Sequence, residues 1–148
     1  VRAEKKEYKS YSLSAKVYAS AEVMFDALTD VRDIMRYTGA PATGKAEEGA
    51  EWSIMDGAVS GKYESLKRGE EIVTSWRFST WAEGDASKVT ITISSSSPGT
   101  CVVELQQEGI PATDKFGHQG VLETVTKGWG QYIFGGIKQR LGFGMDML

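Results

Sequence analysis

The sequence predicts an α+β domain in which a curved antiparallel sheet wraps around one long C-terminal helix, with two short helices after the first strand. Three observations predict this fold. Several segments between residues 51 and 109 alternate apolar and polar side chains, as antiparallel strands with one solvated face do. After residue 114, apolar residues recur at spacings of three and four, which is typical of an amphipathic helix. The chain has 148 residues, the size of one domain with its own hydrophobic core.

The first predicted elements are a strand and two short helices. Residues 8–19 alternate apolar and polar side chains, which predicts a half-buried strand. Ser20 is a favourable N-cap for a helix over 21–29, because its hydroxyl accepts from a free backbone N–H of the first turn. Asp30 is in the same position before a second helix over 31–38. The sequence therefore predicts that two separately capped helices follow the first strand.

The middle of the chain predicts a series of antiparallel strands. These strands are 51–55, 59–66, 70–80, 87–95 and 100–109. The second and third are joined by the short turn KRG, and the last two by the hairpin signal SSSSPG. Strands with such short connections pair with their neighbours in the chain and run antiparallel to them.

The last predicted element is a long amphipathic helix from about Asp114 to Leu141. At about 1.5 Å per residue it would extend about 40 Å, enough to cross a small sheet. Its glycines each weaken a helix by roughly 1 kcal/mol relative to alanine. Packing against the sheet must compensate for this loss, and small residues would let the helix lie close to the strands.

Large side chains are predicted to fill the space between the sheet and this helix. They are Trp52, Trp76, Phe78, Trp129 and Ile133. Trp76 and Phe78 share the apolar face of strand 70–80, whereas Arg77 points to the other face. Trp81 lies beyond the alternation, where it either covers the edge of the core or is exposed. Side chains of this size predict a filled or small cavity.

Composition excludes several classes of function. The net charge is −3, so no overall positive field indicates nucleic-acid or membrane binding. The single cysteine excludes an internal disulfide and favours a reducing, cytoplasmic location. No apolar run approaches the length of a membrane span. Because no apolar stripe remains after the core is assigned, we expect a monomer.

Three features that suggest chemistry do not support it. GAPATGK (39–45) has the spacing of a phosphate-binding loop, but Ala46 stands where the motif needs Ser or Thr, and the following residues predict no helix. His118 is the only histidine and is interpreted as a surface or capping residue. Cys101 alternates with apolar residues and is interpreted as a small buried hydrophobe. We therefore expect no catalytic residues, no metal site and no cofactor.

Two classes of function remain after these exclusions. One is a protein-binding module, and the other is a carrier of a small hydrophobic ligand held between the sheet and the C-terminal helix. The cavity distinguishes them, because a carrier needs an apolar space of several hundred Å3 with a few polar groups. The large inward side chains favour the binding module.

Three stretches, taken in order, resemble a known family. They are 37–66, 72–93 with the motif W-R-F-x-x-W, and 109–144 with the G-I-P turn and a loose G-W-x-x-Y-x-F-x-x-I-K pattern. Together they are similar to the C-terminal domain of the activators of the heat-shock protein 90 (Hsp90) ATPase. Two positions depart from the family pattern: Ala82 replaces a usual proline, and Asp85 replaces a usual histidine.

The resemblance implies a fold and a division of the chain. Its fold is the helix-grip fold of the START-like superfamily, consistent with the predicted order of elements. It implies a single domain over 11–144, preceded by a lead-in or linker remnant over 1–10 and followed by a tail over 145–148. The domain that binds the middle segment of Hsp90 would lie upstream and outside this chain.

The resemblance also implies a function, that of a cochaperone and not an enzyme. Such a domain would bind the N-terminal domains of Hsp90 and help to stimulate its ATPase by favouring the closed, N-terminally dimerised state. Residues of the loop after strand 70–80 are the candidates for the partner contact. They are Arg77, Trp81, Glu83 and Asp85.

Overall fold

The structure is a computed structural model that describes residues 6–148. Its elements are β1 (Tyr8–Val17), α1 (Ala21–Thr29), α2 (Val31–Thr38), β2 (Thr43–Gly44), β3 (Glu51–Ile54), β4 (Val59–Lys67), β5 (Glu71–Phe78), β6 (Ser87–Ser97), β7 (Thr100–Pro111), α3 (Val121–Lys127), a π-helical segment (Gly128–Phe134), α4 (Gly135–Arg140) and β8 (Met145–Met147). The predicted α+β, helix-grip fold is confirmed: an antiparallel sheet, two short helices after the first strand and a C-terminal helix.

The sheet has eight strands in the order β2-β3-β4-β5-β6-β7-β1-β8. Strands β2 to β7 form a meander in which each strand pairs antiparallel with the next. β1 returns to pair with β7, from Tyr8 opposite Pro111 to Val17 opposite Cys101. Short turns with glycine in the left-handed region join the hairpins, at Gly69 (φ 77°) and Gly99 (φ 74°).

Local capping forms the two short helices at the predicted residues. The Ser20 hydroxyl accepts a hydrogen bond from the Val23 N–H at 3.2 Å. The Asp30 carboxylate accepts one from the Arg32 N–H at 2.8 Å. α2 ends at Thr38 and is followed by the C-cap Gly39, whose φ of 72° an L side chain rarely adopts.

The C-terminal helix begins at Val121 rather than at Asp114, so this part of the prediction is wrong. Its three segments run continuously from 121 to 140, about 30 Å at 1.5 Å per residue. The residues before it form a loop in which Gly117 and Gly120 have φ of 79° and 89°, in the left-handed region. Apolar spacing alone did not reveal this local backbone preference.

The glycines of the C-terminal helix lie in its π-helical segment, at 128 and 130, and directly after it, at 135 and 136. The N–H of Gly135 donates to the carbonyl of Gly130, five residues earlier instead of four. A Cβ atom at Gly135 would lie 2.8 Å from that carbonyl oxygen, closer than van der Waals contact allows. The widened turn lets Trp129, Ile133 and Phe134 all face the core.

Both predicted terminal segments contribute to the sheet. The interpretation of 145–148 as a tail is wrong for Met145–Met147, which form β8 and pair with Ala15–Val17 on the free edge of β1. Of the predicted lead-in over 1–10, β1 already begins at Tyr8, and 1–5 lie outside the described residues. The folded unit described by the structure is therefore wider than 11–144.

Candidate functional site

The space between sheet and helices is the first candidate site. It is an apolar cavity of about 50 Å3, bounded by α1, α2, the π-helical segment and the concave face of the sheet. Trp52, Trp76, Trp129 and Ile133 line it, and their large side chains leave only this small space. This volume has room for about three to five water molecules.

Phe78 is the exception among the predicted core residues, because it does not line the cavity. Its ring is half-buried and packs edge-to-face on Trp76, with centroids 4.9 Å apart, and lies 6.1 Å from the ring of Trp81. Trp76 in turn stacks on Trp129 at 5.8 Å. These rings join the end of β5 to the C-terminal helix.

A buried polar chain crosses this aromatic cluster. The Trp129 indole N–H donates to the Gln107 side-chain oxygen at 2.8 Å, and the Gln107 amide donates to the Ser87 hydroxyl at 2.9 Å. Ser87 then donates to the Trp76 carbonyl at 2.7 Å. Gln107 is 0% exposed, so each of these bonds satisfies a group that water cannot reach. Sequence reasoning missed Gln107, although the alternation of β7 places it on the same face as Leu105.

A second buried contact fixes Trp52 over β4. Its indole N–H donates to the Thr74 hydroxyl at 2.8 Å, and its ring covers Gly61. A Cβ atom at Gly61 would lie 2.6 Å from that ring and 2.0 Å from the carbonyl oxygen of Ser75, so only glycine fits there. Burial raises the pKa of the neighbouring Tyr63 to about 12, so the cavity contains a neutral hydroxyl and no charged side chain from this strand.

The loop after β5 is the second candidate site, and Arg77 holds its shape. The guanidinium donates to the carbonyls of Trp81 at 2.8 Å, Asp85 at 3.1 Å and Ala82 at 3.4 Å. Its donors are therefore directed to the loop's own backbone. Arg77 lies on the predicted face of β5, but it closes the loop instead of extending into solvent.

The expected accessibility of Trp81 and Asp85 to a partner is wrong. Trp81 is 1% exposed, and its ring lies 5.8 Å from that of Trp76, so it covers the edge of the core. Asp85 is 6% exposed; its carboxylate accepts from the Tyr8 hydroxyl at 2.9 Å and pairs with Lys6 at 3.2 Å. Of the four predicted contact residues only Glu83 is exposed. Sequence reasoning missed that the lead-in supplies the partners of Asp85.

A second loop, 112–120, lies against the first. The Lys115 N–H donates to the Thr80 carbonyl at 2.9 Å, and its ammonium donates to the Ser79 carbonyl at 3.2 Å. We call the surface formed by loops 79–86 and 112–120 together with residues 6–7 the loop-end surface. A groove of about 290 Å3 lies between its three parts.

Candidates for catalysis do not come together in the structure. His118 is 74% exposed and lies 3.2 Å from the Asp114 carboxylate, consistent with its interpretation as a surface residue. Cys101 is buried, as predicted, and burial raises the pKa of its thiol. GAPATGK contains the two-residue strand β2 and is followed by no helix before β3. Within residues 6–148 no cluster of three or more His, Cys, Asp or Glu side chains could hold a metal ion.

Of the helices that the structure describes, none has the length and apolar character needed to cross a bilayer.

Comparisons with known proteins identify relatives over most of the chain. The family described as "Activator of Hsp90 ATPase homolog 1-like protein" matches residues 18–142. The human "Activator of 90 kDa heat shock protein ATPase homolog 1" is 32% identical over 133 residues, which are 90% of this chain and 37% of the relative. The Dictyostelium discoideum homologue is 30% identical over 91% of this chain and 33% of its own length. The chain therefore spans about a third of the length of the curated relatives it matches.

A solved structure matches the whole fold. The crystal structure of an HSP90 activator from Plasmodium falciparum superposes with a TM-score of 0.90 at 30% identity. The match covers 93% of this chain and 99% of that chain.

Proposed function

The chain belongs to the family of activator of Hsp90 ATPase homolog 1-like proteins, and from this we propose that it is a cochaperone domain that binds the N-terminal domains of Hsp90 and helps to stimulate their ATPase. The observation that carries the proposal is the match over residues 18–142, which includes both short helices, the meander and the C-terminal helix. Hydrolysis of ATP would take place on the chaperone.

The mechanism proposed is a shift of population. A domain that binds the closed, N-terminally dimerised state of Hsp90 more tightly than the open state raises the fraction of closed chaperone. Moving a two-state equilibrium from 1:99 to 99:1 requires about a 10⁴-fold difference in affinity. The domain therefore stimulates hydrolysis only to the extent that its contacts exist in the closed state and not in the open one.

We propose the loop-end surface as the contact surface. Glu83 is exposed there and could contact the partner directly. Arg77, Trp81 and Asp85 contribute indirectly, because their hydrogen bonds and packing hold the loop that carries Glu83. A loop held in one conformation loses less entropy on binding than a mobile one.

The proposal includes an upstream domain that binds the middle segment of Hsp90. The curated relatives are longer than this chain, which spans 37% of the human protein. Tethering by such a domain would raise the effective concentration of this one at the N-terminal domains. We therefore expect weak binding and little stimulation by the 148-residue chain alone. A monomeric state and a cytoplasmic location stay predictions.

The alternative function, a carrier of a small hydrophobic ligand, has less support. Ligand pockets for molecules of ordinary size have volumes of about 300–1,000 Å3. The cavity of about 50 Å3 is several-fold smaller, because three tryptophans and Ile133 occupy the space. The cochaperone function is therefore favoured.

A chaperone ATPase assay tests the proposal. The domain would be added to purified Hsp90 at increasing concentration, alone and fused to a middle-segment-binding domain. We expect stimulation that is much stronger with the fusion, and no change in either format would contradict the proposal. Glu83→Lys should weaken stimulation if the loop-end surface makes the contact, whereas Glu104→Lys, an exposed reversal on β7, should not.

A further inference from the structure

Phe116 is the most exposed aromatic side chain among the residues that the structure describes. Its ring is 63% exposed at the tip of loop 112–120, within the loop-end surface. Two other exposed aromatic residues are held by hydrogen bonds: the hydroxyl of Tyr8 donates to Asp85, and that of Tyr18 to Asp146. A phenylalanine has no such polar group, so its exposure brings the fold no hydrogen bond.

The loop that carries Phe116 is held in one conformation. One oxygen of the Asp114 carboxylate accepts from the N–H groups of Phe116 and His118, both at 2.9 Å. The Gly117 N–H donates to the Asp114 carbonyl at 3.1 Å, and Lys115 ties the loop to Thr80. The ring is therefore presented on an ordered turn. Because the turn is already ordered in the free chain, binding a partner costs little further conformational entropy there.

A lysine and a histidine side chain lie beside the ring. The Lys115 ammonium lies 5.2 Å from the centroid of the Phe116 ring, and the His118 ring lies 5.9 Å from it. Asp114 is the only acidic residue of the loop, and its side chain is 13% exposed and occupied by the turn. A partner that meets this tip faces an apolar ring beside a cation, which favours acidic groups at the rim of the contact.

We propose that Phe116 is an anchor that inserts into an apolar pocket with an acidic rim on the chaperone, an inference that rests on the function proposed above. Rigid aromatic anchors surrounded by a polar rim account for much of the affinity of protein interfaces. The position of Phe116 beside the loop of Glu83 makes the anchor part of the loop-end surface.

Binding measurements test the anchor directly. The chain, labelled at its N-terminus, would be titrated with purified Hsp90 and a non-hydrolysable ATP analogue, and the Kd read from fluorescence anisotropy. Phe116→Ala should raise the Kd about 10- to 100-fold, whereas Phe116→Leu, which keeps an apolar side chain, should raise it much less. Tyr132→Ala is the matched control, since Tyr132 is an exposed aromatic residue on the C-terminal helix.

Two charge-reversal variants of this chain test whether the partner's pocket has an acidic rim. Lys115→Glu should weaken binding, and Lys127→Glu, an exposed reversal on α3, should have little effect. Thermal unfolding of each variant checks that it is folded, and Phe116→Ala should unfold at the temperature of the parent chain because the ring is exposed.

The possible results distinguish failure of the proposed Phe116 anchor from failure of the proposed cochaperone function. If the parent chain binds and Phe116→Ala binds within twofold of it, the anchor is wrong and the cochaperone function stands. If Lys115→Glu binds more tightly than the parent chain, the rim is not acidic and the proposed partner chemistry is wrong. If the parent chain and its fusion do not bind Hsp90 at all, the proposed function fails and the anchor fails with it.

Discussion

The hydrogen bond between Trp129 and Gln107 joins the C-terminal helix to the sheet, and Trp129→Phe tests what it contributes. The substitution removes the indole N–H that donates to the Gln107 oxygen at 2.8 Å. Because Gln107 is 0% exposed, no water can replace the lost donor without rearrangement. A buried acceptor without a partner costs about 1–3 kcal/mol. The smaller ring also leaves a void, so we expect a total loss of about 2–4 kcal/mol in the free energy of unfolding.

A double-mutant cycle isolates the hydrogen bond from the void. Gln107→Met keeps the length of the side chain and removes both polar atoms. In the double variant with Trp129→Phe no acceptor is left unpaired, so the two single losses should exceed the double loss by about 1–2 kcal/mol.

Urea unfolding followed by circular dichroism measures the three variants and the parent chain. A shift in midpoint at constant slope reports the change in stability. Losses that add to within about 0.5 kcal/mol would mean that the two side chains do not depend on one another, which would refute the reasoning.

Three other predictions follow from buried contacts. Gly61→Ala should destabilise the chain by about 3 kcal/mol or more, because its Cβ would overlap the ring of Trp52. Unfolding followed by circular dichroism measures this loss. Gly130→Ala is the control: nothing lies within 4 Å of its Cβ, so this substitution should be neutral or slightly stabilising. Burial raises the pKa of Tyr63 to about 12. The stability that the neutral, buried hydroxyl contributes to the folded state is therefore fully present below pH 10 and is lost as the pH rises toward 12. Tyr63→Phe should therefore make unfolding less dependent on pH over that interval, and equal slopes for the two proteins would contradict the assignment. Arg77→Met should release the loop, with a loss of about 1–3 kcal/mol and faster proteolysis within 81–86; an unchanged cleavage rate would mean that the loop is held by other contacts.

The elements that could be predicted from the sequence are those formed by interactions between residues a few positions apart. The helices at 21–29 and 31–38 begin at the predicted residues, because the side chains of Ser20 and Asp30 accept from N–H groups only three and two residues further along the chain. The hairpin strands were predictable because alternation and turn residues act within a few positions. The inward direction of Trp52 and Trp76 follows from the same alternation.

Elements that depend on distant partners were not predictable. Met145–Met147 become a strand only because the free edge of β1 lies beside them in the folded chain. The apolar spacing predicted a helix from Asp114, whereas the carboxylate of that residue caps a turn that docks on the carbonyl of Thr80. Such pairings join residues far apart in the sequence.

The features of the candidate site are also of two kinds: those that sequence patterns predict and those that depend on tertiary contacts. The sequence alone was sufficient for the fold class, the large apolar side chains between sheet and helix, and the resemblance to Hsp90 ATPase activators. The tertiary structure was needed to show that Trp81 and Asp85 are buried, that Arg77 closes its own loop and that Phe116 is presented to solvent. The physical reason is that periodicity reports which face a side chain takes on its own element, whereas its exposure depends on what the rest of the chain places over that face.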